Sequence, residues 1–307
     1  MPDTTVARPI EQLRDNAKRL EAALSVGLAD PAAKAVHELR SCTRRVEAQL
    51  MLLSMVHGLP AYKPIAEKLL RRLAVLRRKA GRVRDCDVQT KLLKDEDRAI
   101  ASAVEAPAGL SKAQEKLTTK LSKARQREEK KLVAEVKRQL PKVARDTEKL
   151  LKALKPAAHH TTPVAEILRA IEHQMERLLS SPEHGEEHLH DLRKAAKRAR
   201  YQCESLPGAQ AAAMAKRLEN LQDAGGNWHD LLDLATTCHQ QFGAEQPLSR
   251  VLEHLRDQRL DAYLANLEKF REQHTDRPAA TSQRKPPQRA AAARSRGSSA
   301  SVRGMRK

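Results

Sequence analysis

The sequence predicts an all-α protein, and three observations carry that prediction. Apolar residues, mostly Leu and Ala, recur three and four positions apart along nearly the whole chain, and no stretch alternates as a strand would. Aromatic residues make up 2% of the 307 residues, so aliphatic side chains must build the core, which suits helices packed on helices. One segment also occurs twice. Residues 36–46 read V-H-E-L-R-S-C-T-R-R-V, and residues 189–199 read L-H-D-L-R-K-A-A-K-R-A. A repeat of this length marks a duplicated helical unit.

The first helix is expected over about residues 10–28. Asp30 and Pro31 open the first His helix, with Asp30 as N-cap and Pro31 at the first helical position, and it runs to about residue 56. A turn at Gly58-Leu59-Pro60 leads into a helix from about Tyr62 to Gly81. Further helices are expected near 84–104, 111–139 and 141–154. The midpoint linker is K-P-A-A-H-H-T-T-P at 155–163, followed by helices near 163–180, 183–206, 209–224, 228–241 and 247–273. The helical region thus covers residues 1–275, in halves of about 1–155 and 163–275. Residues 276–307 hold nine Lys or Arg and one acid among Ala, Ser, Gly and Pro, and a disordered basic tail is expected there.

A second correspondence supports the duplication. Residues 71–87 carry R-R-L, then Leu76, Gly81 and R-D-C-D, while 216–233 carry K-R-L, then Leu221, Gly226 and H-D-L-L-D. The order and most of the spacing match, which makes two pseudo-twofold-related halves.

The repeated segments put charge on one helix face. At about 100° per residue, His37, Arg40 and Arg44 fall within roughly 60° of one another, with Leu39, Val46, Leu50 and Leu53 opposite. The second copy groups His190, Arg193, Lys197 and Arg200 away from Leu192, Ala195, Ala199, Cys203 and Leu206. Arg45 and Arg198 sit at the edges of these stripes. The helix from 62 to 81 carries a further basic side with Lys68, Arg71, Arg72, Lys79 and Arg82, and Lys216 and Arg217 occupy the matching place in the second half. A basic helix face is ordinarily solvated surface. Duplication at matched spacing lifts these two stripes above that reading, and the two His helices are expected to face each other across one cavity. The charge-dense stretch 111–155 admits two readings: solvated helices laced with i, i+4 ion pairs, or lysines that extend an anion-binding surface.

With 58 Lys+Arg against 39 Asp+Glu, the formal net charge is +19, which favours polyanionic partners such as polyphosphate, nucleic acid or an acidic membrane surface. The scarcity of aromatics argues against reading single strands by base stacking. His184, His188 and His190 lie near Glu183, Glu186 and Glu187, but H-G-E-E-H is not H-E-x-x-H and the surrounding cations repel a divalent ion. No metal and no cofactor is expected. Glycine-rich phosphate loops and G-x-S-x-G are absent, so no enzymatic activity is expected. Cysteines at 42, 86, 203 and 238 form no C-x-x-C pair and read as free thiols. With no signal pattern and no apolar run of membrane-spanning length, a cytoplasmic protein without a transmembrane segment is expected.

The paired H-x-x-R-x-x-x-[RK]-R segments, each followed after a second helix by a Gly and an [RH]-D turn, resemble the CHAD family, the conserved histidine α-helical domain. The second copy, with Arg200-Tyr201 after it, and Arg84-Asp85-Cys86-Asp87-Val88 carry the resemblance, which covers roughly residues 5–272. It implies two helical bundles around a basic central cavity that binds inorganic polyphosphate rather than performing catalysis, and association with polyphosphate granules. Under it, His37, Arg40, Arg44, Arg45, His190, Arg193, Lys197, Arg198, Arg200 and Tyr201 become the candidate polyphosphate ligands. The sequence departs from internal symmetry at one point, with His229 where the first half has Arg84. Two other readings stay open: a DNA-binding or nucleoid-associated protein whose basic tail contacts nucleic acid, and a scaffold linking polymer granules to other structures.

Overall fold

The aliphatic periodicity folds into eight α-helices among the described residues of the computed structural model, which are 5–96, 100, 110–180 and 185–275. In chain order they are α1 (Pro9–Ala29), α2 (Ala33–Leu53), α3 (Lys63–Asp95), α4 (Leu110–Leu154), α5 (Val164–Leu179), α6 (Glu186–Glu204), α7 (Ala209–Phe242) and α8 (Pro247–Thr275). The expected tail at 276–307 and the end of the helix expected near 84–104 lie outside the described residues. The sequence signals no strand. The structure nevertheless pairs β1 (Val6–Ala7) antiparallel with β2 (Thr162–Pro163), a two-residue ladder that ties the start of the chain to the midpoint linker.

Several expected breaks are bridged. Gly81 does not end a helix: α3 runs through it, and the Arg84-Asp85 segment is helical rather than a turn. The expected helices 209–224 and 228–241 are one element, α7, with Gly225 and Gly226 inside it. Pro141 likewise sits inside α4. A helical glycine costs about 1 kcal/mol against Ala, which the long helical flanks outweigh. Where α7 does stop, Gly243 takes a φ of +89° and its N–H bonds the His239 carbonyl, a conformation other residues rarely adopt. Asp30 is not the N-cap of α2. Ala32 holds that position, and Asp30 Oδ1 instead accepts from the Ala32 N–H at 3.2 Å, closing the turn between α1 and α2.

The core forms three clusters. Helices α1–α4 bury Ile10, Leu13, Leu24, Leu39, Leu73, Leu76, Leu132 and Leu150. Helices α5–α8 bury Ile171, Leu192, Ala199, Leu218, Trp228 and Tyr263, and Leu52 of α2 joins them. The third cluster crosses between the halves: Leu93, Leu117 and Leu121 pack with Leu231, Leu234, Leu252 and Leu255. The α3–α4 and α7–α8 pairs thereby share a core cluster, while α2 packs on α6 and α3 on α7. Cys42, Cys203 and Cys238 are buried as free thiols and Cys86 is partly buried. No helix among the described residues is long and apolar enough to cross a membrane.

Candidate anion site

The place where α2, α3, α6 and α7 meet is a cavity of about 600 Å³. Each wall follows from helix register. Because Leu39, Val46 and Leu50 face the first core, α2 must turn His37, Arg40 and Arg44 to the other side. Leu192, Ala195 and Ala199 do the same for His190, Arg193 and Lys197 on α6. Tyr201 also lines the cavity. The two repeated segments therefore face one space.

Three residues expected in the site lie outside it. Arg45 pairs with Glu204 at 2.7 Å, and its guanidinium lies 4.9 Å from the centre of the Tyr201 ring. Arg200 bonds the same Glu204 at 2.6 Å and lies 5.8 Å from that ring. These two arginines hold Tyr201 in place. Arg198 turns away into an apolar groove beside Met51, Ile171 and Met175. The further basic residues also point elsewhere. Arg72 donates to Asp146 at 2.6 Å and Lys68 is 3.9 Å from the same carboxylate, so both fasten α3 to α4. Arg82 pairs with Glu128 at 3.6 Å, and Lys79 lies near Glu128 and Glu135. Lys216 bonds Glu219 at 2.7 Å. Neither Arg71 nor Arg217 lines the cavity.

Sequence reasoning misses the walls supplied by α3 and α7. Arg84 and Asp85 come from α3, and His229, Asp230 and Asp233 from α7. The R-D and H-D motifs do contain them, but as turn residues they point nowhere. Glycine has a specific part here. A Cβ on Gly81 would stand 2.6 Å from Arg40 Nη1, so the missing side chain leaves room for that guanidinium. In the second half the glycine against the matching arginine is Gly225, whose Cβ would lie 3.3 Å from Arg193 Cγ. The sequence correspondence pairs Gly81 with Gly226, one position later. Tyr263 packs on the same spot, stacks on Trp228 at 5.8 Å, and donates from its hydroxyl to the Leu189 carbonyl at 3.1 Å, anchoring α6.

The cavity sets half-buried cations close to one another, with Asp85, Asp223, Asp230 and Asp233 also in its walls. Arg40, Arg44, Arg84, Arg193 and Lys197 are half-buried together, and none forms an ion pair within 4 Å with a described acid. Nε of Arg44 and of Arg193 are buried without a hydrogen-bond partner. Arg40 donates to the Arg77 carbonyl at 3.3 Å. Burial pushes the Lys197 ammonium down to about 7, and Arg44 and Arg193 push the same way. Burial, with Arg40 beside it, lowers Arg44 to about 10, where a guanidinium is still fully charged at neutral pH. His190 falls to about 4 through burial and His229, whose ring meets it edge-on at 4.6 Å. His37, at the mouth, is lowered by burial and Arg84, and His229 by burial and Arg193. The carboxyls answer in the opposite sense: burial and Asp230 raise Asp233 to about 6, and enclosure raises Asp85 despite Arg40 nearby. Among the described residues no group of three or more His, Cys, Asp or Glu could hold a metal ion; His184 and Glu183 lie outside the described residues.

Among the described residues eight helices make an all-helical protein, and four of them, α2, α3, α6 and α7, wall a cavity in which five cations have no ion-paired acid. The family model for the CHAD domain matches residues 10–240, and the chain belongs to that family. Its fold is similar to that of PptA from Streptomyces chartreusis, with a TM-score of 0.63 at 16% identity, over 86% of this chain and 97% of that one. It is also similar to the CHAD domain from the plant Ricinus communis, with a TM-score of 0.57 at 20% identity, over 87% of this chain and 93% of that one. No curated protein sequence matches it.

Proposed function

We propose that this protein binds inorganic polyphosphate, without turning it over, in the cavity between α2, α3, α6 and α7. One observation carries the reading: Arg40, Arg44, Arg84, Arg193 and Lys197 crowd into one cavity with no ion-paired acid among the described residues. Desolvated like charges are costly to fold; Asp85, Asp223, Asp230 and Asp233 line the same cavity without approaching these five cations within 4 Å, and a chain of phosphates offsets the cost by bonding the cations directly. Membership in the CHAD family, with its implied polyphosphate ligand, supports the same choice.

The chemistry of the walls fits a polymer of phosphates. Guanidinium forks bond phosphate oxygens two at a time, and Lys197 adds a point charge. A phosphate beside His37, His190 or His229 raises the ring's pKa and favours the cation that donates from both nitrogens. Apart from Tyr201 the cavity offers no large aromatic platform on which bases could stack, and a duplex is too wide to enter it. Arg45 and Arg200, bound to Glu204, position Tyr201 rather than the ligand. We extend the reading to attachment of the protein to polyphosphate granules.

Competition tests it. The full chain holding a labelled long polyphosphate is challenged with unlabelled polyphosphate or duplex DNA at equal phosphate concentration. The reading expects displacement by polyphosphate and little by DNA, and unchanged polymer length after incubation. Equal displacement by DNA would favour a nucleic-acid-binding protein, and shortening of the polymer would contradict binding without turnover.

A further inference from the structure

Outside the cavity, a second concentration of unpaired positive charge lies along α4. Lys116, Lys120, Lys123, Arg127 and Lys130 follow one another at steps of four, three, four and three residues, which places all five on one helix face. They line a groove of about 840 Å³ between α4 and the end of α7, where Gln241 forms the opposite wall. The spacing sets the cations about 5 Å apart along the axis, over roughly 21 Å. The other side of the same turns, Leu117 and Leu121, is fixed in the crossing core cluster, so the face cannot rotate away.

The pairing of charges on α4 is not uniform. Several cations on its other faces have acids: Arg125 bonds Asp87 and Glu129, Lys131 bonds Glu128, and Arg138 bonds Glu135. None of the five groove cations forms an ion pair within 4 Å with a described acid, and Lys120 donates to the amide oxygen of Gln241 instead. Like charges at i, i+4 destabilise a helix by a few tenths of a kcal/mol each. Glu115 lines the groove at its first turn, and no acid stands between Lys116 and Arg127 in the sequence.

We propose that this groove is a second polyanion-binding site, which takes the part of a long polyphosphate chain that projects beyond the central cavity. This rests on the cavity reading for the identity of the polymer. The row is one cation wide and straight, which matches a single linear chain of phosphates. No aromatic side chain lines it, so it offers nothing on which bases could stack. Helix α7 borders both sites: Asp233 faces the cavity and Gln241 the groove, eight residues or about 12 Å further along. The cavity then selects the polymer and the groove lengthens its grip.

The test compares tripolyphosphate with a polyphosphate many times longer, both titrated into the full chain. The triple variant Lys116→Gln, Lys123→Gln, Arg127→Gln leaves the Lys120–Gln241 bond intact and touches only exposed side chains. It is expected to bind tripolyphosphate as the parent does. It should bind the long polymer about tenfold more weakly, because three exposed charges no longer meet phosphate. Its slope of log affinity against log salt should be shallower by about 2. A charge-matched control, Lys18→Gln, Lys137→Gln, Lys149→Gln, should leave both affinities near the parent values. The groove site is overturned if the triple variant binds the long polymer normally, if tripolyphosphate is weakened equally, or if the control weakens binding as much. The cavity reading fails separately: Arg40→Ala with Arg193→Ala would then leave both polymers bound, while the groove variant still discriminates between them.

Discussion

Replacing Lys197 with Met should stabilise the unliganded protein while weakening its hold on polyphosphate. Lys197 is half-buried between Arg44 and Arg193, and its ammonium is pushed down to about 7. In the unfolded chain the same group titrates near 10.4, a gap of roughly 3.4 pH units that sets a ceiling of about 4–5 kcal/mol on the cost of folding around the charge. Water reaching part of the side chain screens this, leaving about 2 kcal/mol, and Met keeps the bulk of the chain without the charge. The pH dependence follows from the direction of the shift. Below about pH 7 both states hold the proton and the wild type bears the full cost. Between about pH 7 and 10.4 only the unfolded chain holds it, so the cost shrinks as pH rises and vanishes above. Thermal unfolding of both proteins without ligand, at about pH 6 and about pH 9, reads this out. The variant should melt about 5 °C higher at the lower pH, and by less than half that margin at the higher. A variant that melts lower than the wild type, or a margin that ignores pH, would refute the reasoning and make Lys197 a structural cation.

Polyphosphate affinity should fall as pH rises above about 7, by up to tenfold per pH unit for one proton, because bound phosphate holds the Lys197 proton that the free cavity releases at about 7. Below pH 6.5 affinity should rise further as His190, lowered to about 4, is protonated by the ligand's field; calorimetric titration in buffers of different ionisation heat counts the protons taken up. Neighbouring glycines should respond oppositely: Gly225→Ala forces a Cβ to 2.9 Å from the Tyr263 ring and should cost about 1–3 kcal/mol, whereas Gly226→Ala meets nothing within 4 Å and should be neutral or stabilising in denaturant titrations. Removing residues 276–307, with nine cations and one acid, should weaken duplex DNA binding far more than polyphosphate binding; the reverse in a filter-binding assay would assign selectivity to the tail.

Helix faces are legible in the sequence because burial enforces a period. Leu39, Val46, Leu192 and Ala199 point inward, and His37, Arg40, His190 and Arg193 are turned to the opposite side in consequence. Helix ends are less legible. Gly81, Gly225 and Pro141 are local signals for a break, and tertiary packing overrides each. The roles of the other cations depend on partners remote in sequence. Nothing near Arg72 announces that Asp146, 74 residues on, will claim it, and Arg45 is claimed by Glu204 from the other half. Arg84 and His229 are visible in the paired motif but read as turn residues, because the continuity of α3 and α7 through them is a property of the fold.

The central claim is that Arg40 and Arg193, one from each repeated segment, hold the same polyanion. The direct measurement is polyphosphate affinity across a salt series for Arg40→Ala with Arg193→Ala, alongside the thermal midpoint without ligand. Both side chains face the cavity and not the Leu-rich cores, so the fold should persist and the midpoint should hold or rise. Each substitution removes charge-assisted bonds of about 1.5–3 kcal/mol, so affinity should drop on the order of a hundredfold or more, with a shallower salt slope. Unchanged affinity together with a lowered midpoint would make these arginines structural and contradict the cavity as the binding site.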